Sequence, residues 1–265
     1  MDIQPDPHEF TRDAWEDNAE IWDERMGDEG NDFFNLLCWP AIASLLDIRP
    51  GRRYLDIACG NGLTSRRLAA LGAQVTAFDF SSNLVEKAKA RENPGSLIDY
   101  QVIDATDEQH LLSMGENSFD VALSNMALFD MANIEVLFQT LPRLLKPNGI
   151  FVFSLMHPCF NNSSSVHTVE ESDNGEIKIV YSVKISRYMT PYHAKGLALR
   201  NQPKPQMYFE RPLQYYLNLG FQNGFVLDGF EERAFPPDGP QTSLLGWGGK
   251  FSEIPPVVVI RFRKK

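Results

Sequence analysis

The sequence lacks the marks of several protein classes. Its apolar runs, such as residues 149–156 (GIFVFSLM), fall far short of the ~18 residues that a membrane span requires. The opening MDIQPDPHEF has no basic segment followed by an apolar one, so no export signal and no membrane partner are expected. Cysteine is scarce: Cys38, Cys59 and Cys159 provide neither an even disulfide set nor a CxxC spacing for a metal. Buried thiols in a reducing cytoplasm, with no metal centre, are the expectation. Positive charge is also short, with 25 Lys and Arg against 35 Asp and Glu. A net charge of −10 repels a phosphate backbone, which disfavours nucleic acid and favours small-molecule chemistry. Internal repeats, coiled-coil heptads and low-complexity segments are absent.

What remains suits one large domain, or one domain with a substantial insertion: 265 residues with 43% hydrophobic content can build a proper core. In residues 12–26, Trp15, Ala19, Trp22 and Met26 recur at the spacing of one helix face, either packed on the core or closing a pocket as a lid. A second helix is expected over residues 32–46, broken by IRPG. From residue 53 the periods alternate. RYLDI, AQVTAFDF, IDYQVIDAT, SFDVALSNMAL and IFVFSLM read as strands, and three helical stretches fall between them, LTSRRLAALG, SSNLVEKAKAR and IEVLFQTLPRLL, the last ended by a KPNG turn. Strands separated by helices imply parallel pairing with right-handed crossovers, so residues 54–156 predict most of a doubly wound α/β sheet.

The regime changes at His157. A polar loop, NNSSS, leads into EIKIVYSVKIS, where Ile177, Ile179, Tyr181, Val183 and Ile185 alternate as in a half-buried strand. This is an insertion, followed by an irregular connection over residues 190–211. A helix (211–224) and two strands (225–235 and 255–265) close the chain. The division is thus an N-terminal helical lid (1–50), an α/β core (51–156), an insertion capping the acceptor (157–211) and a C-terminal segment that completes the sheet (212–265).

In an open parallel sheet the ligand lies beyond the carboxyl ends of the strands, at the switch point. The stretch YLDIACGNGLTSRRLAALGAQVTAFDFS falls there. Gly60 and Gly62 permit a tight strand-to-helix turn and a close backbone approach, a weak signal alone. Asp79 ends the next strand, where a carboxylate accepts both hydroxyls of a ribose, or else caps the following helix. Asp104 ends the third strand, placed for an adenine amino group or for plain turn chemistry. Asp56 precedes the glycine loop, where its charge disfavours a pyrophosphate and favours a ligand carrying ammonium and sulfonium groups.

Together these residues resemble the class I S-adenosylmethionine-dependent methyltransferases, from about Tyr54 to Met156, with the last helix and two strands also fitting. The resemblance implies a mostly parallel, seven-stranded Rossmann-like sheet and S-adenosylmethionine as cofactor. DIACGNG then corresponds to the family's first motif, with Asp56, Ala58, Gly60 and Gly62 shaping the methionine half of the pocket. Ala58 stands where many members have glycine. By the same resemblance Asp79 takes the ribose diol, Phe80 lies beside the adenine, Asp104 and Ala105 hold its edge, and Asn125 and Met126 complete the floor.

The acceptor is a small molecule of unread identity. A base is needed only if the acceptor must lose a proton. His157, after the fifth strand, is the first candidate and His193, in the insertion, the second, although either histidine also fits a role in ordering its loop. Two rival functions stay open: an NAD(P)-dependent oxidoreductase, whose GxGxxG pattern here would end in Ser65, and a non-catalytic S-adenosylmethionine-binding protein. A homodimer is also open.

Overall fold

The computed structural model describes residues 6–265. The chain enters through α1 (Pro7–Met26), whose first turn is set by Asp6: its side chain accepts from the His8 N–H at 3.0 Å, and Pro7 occupies the first helical position. Residues 32–46 are helical as expected, but a π-helical turn (Phe34–Cys38) interrupts them before α2 (Trp39–Leu46).

Five strands alternate with helices: β1 (Arg53–Ile57), α3 (Leu63–Ala70), β2 (Gln74–Asp79), α4 (Ser82–Ala90), β3 (Ile98–Val102), α5 (Glu108–Ser113), β4 (Phe119–Asn125), α6 (Glu135–Leu144) and β5 (Leu145–Met156). The short α5 carries too few apolar positions to announce itself in the sequence. KPNG lies inside the span of β5 as a bulge: Phe119 pairs with Leu145, and the register then shifts so that Val121 pairs with Ile150.

Two hairpins follow, β6 (Ser165–Asp173) with β7 (Ile177–Ile185) and β8 (Tyr192–Gly196) with β9 (Gln206–Glu210). The second corrects the irregular connection expected over 190–211. Its strands are five residues each and are separated by a Pro-containing loop, which hides them from a pattern search. The first hairpin corrects the half-buried β7. Ile177 and Ile179 are 65% and 53% exposed, because only the base of the hairpin meets the body of the protein. There the His167 ring lies 4.4 Å from Trp247, and Tyr181 lies 5.6 Å from Phe251.

The chain ends with α7 (Leu213–Gln222), β10 (Phe225–Arg233) and β11 (Val257–Lys264). The seven-stranded sheet runs β10-β11-β5-β4-β1-β2-β3, and β11 alone is antiparallel to its neighbours. The sheet is buried on both faces. Tyr54, Val75, Val121, Val257 and Val259 pack towards α2, α3 and α4, whereas Leu55, Phe151, Phe153, Val258 and Ile260 pack towards α6 and α7. Between β1 and β4 the chain switches direction across the sheet, which leaves a crevice at their carboxyl ends.

The turn from β1 into α3 depends on a packing constraint. Gly62 has φ +74°, and a Cβ there would collide with the Tyr100 hydroxyl. The glycine therefore serves close packing of α3 on β3. Gly62→Ala should destabilise the protein by about 2 kcal/mol or more, combining left-handed strain with overpacking. Urea unfolding checks this; a variant as stable as the parent contradicts it.

Candidate active site

At the carboxyl end of β1 the backbone turns through three left-handed residues, Ala58 (φ 54°), Gly60 (φ 56°) and Gly62. For Ala58 this is a strained conformation, of the kind that collects at functional loops. The strain is held in place from β2: the Cys59 N–H donates to the Phe78 carbonyl at 2.9 Å and the Gly60 N–H to Asp79 Oδ2 at 2.9 Å. Asp79 Oδ1 accepts from the Ser81 N–H at 2.9 Å. Each Asp79 oxygen thus keeps acceptor capacity for a further donor. Met126, after β4, is a second strained residue (φ 56°), fixed by its N–H donating to Ser154 Oγ at 2.9 Å.

A cavity of about 530 Å³ opens over these loops. Of the residues predicted for the cofactor, Ala58, Gly60, Asp79, Phe80, Asp104, Ala105, Asn125 and Met126 line it. Asp56 and Gly62 do not, which corrects their expected contact. Asp56 lies buried beneath the loop and accepts from the Ser65 hydroxyl, and Gly62 is turned to Tyr100. The donor set suits a nucleoside with a cationic tail: spare carboxylate acceptors at Asp79, a loop backbone approachable at Gly60, and no lysine or arginine among the described lining residues.

Helix α1 covers the cavity. Trp15 and Trp22 meet edge to face at 5.2 Å and both line it. Polar contacts strap the helix down. Glu16 accepts from the Ser82 and Asn83 N–H groups at 2.8 and 3.0 Å, capping α4 from outside. Asp23 pairs with Arg91 at 2.6 Å and accepts from Asn61 at 3.0 Å, and His8 bonds Asp104 at 2.7 Å. From the insertion, residues 161–163, residues 197–199 and Tyr208 line the cavity, but the β6–β7 hairpin does not. It reaches the cavity indirectly, through the loop carrying Trp247, where His167 Nδ1 meets the Leu245 carbonyl at 2.6 Å.

Neither predicted base faces the cavity. His157 is buried behind β5, with Nδ1 accepting from the Cys159 N–H at 3.1 Å and Nε2 on Glu232 at 2.7 Å. Burial lowers its pKa, against the pull of Glu232. It fastens β10 to the end of β5. His193 is exposed on β8, its ring 6.2 Å from Phe209. Two titratable residues that do line the cavity were not singled out from the sequence, His8 and Asp130. The Asp-Pro start of α1 was a readable signal for a helix beginning at Pro7 and carrying His8 in its first turn; nothing in LFDM distinguishes Asp130 from a turn residue.

Neighbours set the carboxyls apart. Burial raises Asp56 to about 7, against the Ser65 bond, and raises Asp79 to about 6, against the Ser81 and Gly60 N–H groups. For Asp104, burial is outweighed by the His8 and Thr106 bonds, which hold it at about 2.

Comparison with known proteins agrees with this geometry. Residues 55–153 match the methyltransferase domain family. The chain is 35% identical over 109 residues to a ubiquinone biosynthesis O-methyltransferase of Xanthomonas campestris pv. campestris, covering 41% of this chain and 44% of that one. It thus spans less than half the length of that relative. Among solved structures, a putative S-adenosylmethionine-dependent methyltransferase from Listeria monocytogenes superposes with TM-score 0.67 at 21% identity, over 86% of this chain and 97% of that one. The 1,6-didemethyltoxoflavin-N1-methyltransferase of Burkholderia thailandensis, solved with bound 1,6-didemethyltoxoflavin and S-adenosylhomocysteine, superposes with TM-score 0.54 at 17% identity, over 100% and 93%. The chain carries a methyltransferase domain on the class I S-adenosylmethionine-dependent methyltransferase fold.

The raised carboxyls fix a pH dependence of stability. Between the ordinary Asp value of 3.8 and about 6 to 7, the folded protein keeps protons on Asp79 and Asp56 that the unfolded chain has released. Their contribution is full below that window and is lost as pH rises through it. Asp56→Asn should flatten the fall in unfolding free energy between about pH 5 and about pH 7.5. An unchanged slope in urea titrations contradicts the assignment.

Proposed function

We propose that this protein, a class I methyltransferase by domain and fold, transfers the methyl group of S-adenosylmethionine to a small-molecule acceptor in the cytoplasm. The observation that carries the reading is Asp79: buried, aimed into the cavity, tied to the Gly60 N–H, and with lone pairs to spare for a ribose diol. The cofactor, when bound, supplies an electrophilic methyl on a sulfonium, so the chain's task is to bind, orient and exclude water.

In this reading Gly60 brings the loop backbone against the methionine half and Phe80 flanks the adenine. Asp104 and Ala105 border the adenine edge, where Asp104 shares its Oδ2 with His8. Asn125 and Met126 form the floor. Asn125 Oδ1 accepts from the Ser154 hydroxyl at 2.7 Å, which fixes the amide. Trp15 and Trp22 close the roof, while residues 161–163, residues 197–199 and Tyr208 wall the acceptor side. The free cysteines and the absence, among the described residues, of a helix able to cross a membrane are consistent with that compartment. The −10 charge supports a partner other than nucleic acid.

Calorimetry should show binding of S-adenosylmethionine and S-adenosylhomocysteine, with no competition from NADH. Asp79→Asn should weaken S-adenosylhomocysteine by ~10- to 150-fold, the worth of charge-assisted hydrogen bonds at about 1.5–3 kcal/mol. Parent affinity in the folded variant, or NADH displacing the nucleoside, contradicts the reading.

A further inference from the structure

The loop after β4 carries an unexplained feature. Asp130 is 9% exposed and lines the cavity, yet its Oδ1 is buried without a hydrogen-bond partner. The Trp15 indole approaches the carboxyl, but a buried carboxyl oxygen left without a donor is costly and persists only for a reason. Slack in the loop is not that reason. Leu128, Phe129 and Met131 are buried, and the Phe209 N–H donates to the Phe129 carbonyl at 2.6 Å. Arg211, the buried cation closest in sequence to this wall, is spent on the loop's backbone. Its guanidinium donates to the Met131 and Ala132 carbonyls at 2.9 and 2.8 Å and to those of Leu128 and Phe209 at 3.4 and 3.3 Å. The fold therefore places a guanidinium beside this loop and directs it away from the carboxyl.

We propose, on the basis of the methyl-transfer reading, that Asp130 recognises the acceptor, and that the acceptor is a neutral or cationic small molecule presenting an N–H or O–H group to Oδ1. An anionic acceptor does not fit. The formal charges lining the cavity are Asp79, Asp104 and Asp130, plus His8, which is committed to Asp104; Glu210 stands behind, held by the Ser163 N–H at 2.7 Å. A carboxylate or phosphate would enter this acidic field with no lysine or arginine among the described lining residues to meet it. Aromatic walls at Trp15, Phe129 and Tyr208 suit an apolar body and a cationic or hydroxyl head. The electrostatics point the same way. Burial pushes the Asp130 carboxyl well above the ordinary range, against the Trp15 indole and with Asp79 and Glu210 adding to the push, so an incoming donor or cation relieves it.

Benzylamine, phenol, anisole and benzoate, four probes of similar size, test this by calorimetry on the full-length protein, with and without S-adenosylhomocysteine. The parent protein should bind benzylamine or phenol ~10-fold or more tightly than anisole and benzoate. Asp130→Leu should abolish the preference. Asp130→Asn, which keeps an acceptor oxygen but no charge, should abolish it for benzylamine only, which separates an ammonium from a hydroxyl acceptor. Both variants should melt at or above the parent temperature, since they remove an unpartnered buried carboxyl. Benzoate binding as tightly as the donor-bearing probes, a preference unchanged in Asp130→Leu, or a lowered melting temperature in both variants overturns the proposal. Failure of the parent protein to bind S-adenosylhomocysteine refutes the cofactor reading instead and leaves the probe series on the free protein as the test of Asp130.

Discussion

The structure depends on keeping carboxyl groups buried at the carboxyl edge of a sheet. Asp56, Asp79 and Asp130 are buried and Asp104 is half-buried, at or just past the ends of four adjacent strands, in a region that the switch in chain direction leaves open. Burying one such group costs several kcal/mol unless it is paired or keeps its proton, and the four are treated differently. Asp104 is answered by His8 and ionised. Asp79 is half answered by backbone N–H groups, and Asp56 by a hydroxyl. Asp130 is unanswered at Oδ1. The gradient runs from a satisfied Asp104 to an unsatisfied Asp130, and a core packed on both faces of the sheet supports its cost.

The same arrangement explains how the cover is attached. Helix α1 turns Trp15 and Trp22 to the cavity, and its remaining buried apolar residues, Ala14, Ala19 and Met26, are small or peripheral anchors. Its attachment is polar, through His8, Glu16 and Asp23, each reaching a different element around the cavity mouth. Two of the groups they reach, Asp104 and the amino end of α4, border one side of the cavity. Closing α1 and shaping that side are therefore one set of contacts. The β6–β7 hairpin acts at one remove, by clamping the loop that presents Trp247.

Much of the sheet was legible because its signals are periodic and repeated. Strands with near-continuous apolar character, helices ending in glycine or capped by Ser81, and an acidic residue at or just past the ends of β1, β2 and β3 are local properties of the chain. The N-terminal stripe of Trp15, Ala19, Trp22 and Met26 was equally readable. Side-chain direction was not. His157 follows a strand that borders the crevice, but the Pro256 carbonyl takes its N–H at 2.8 Å and the ring turns to Glu232, a partner 75 residues away. His193 alternates outward on a hairpin too short to detect. Gly62 looked like a ligand-facing glycine, and only the position of Tyr100 reveals it as a packing glycine. Asp130 gains its meaning from Arg211, which is 81 residues further on and takes the loop's carbonyls while leaving the carboxyl alone.

In the methyl-transfer reading this edge is built for a cation, with Asp56 and Asp79 partly protonated near about pH 6.5 until one arrives. Calorimetry near about pH 6.5, in buffers of differing ionisation enthalpy, counts the protons released on binding. Asp56 and Asp79, at about 7 and about 6 in the free protein, should release a net fraction of a proton on S-adenosylmethionine binding and less on S-adenosylhomocysteine, which lacks the sulfonium charge. Equal release for the two ligands, or proton uptake with S-adenosylmethionine, would contradict the account.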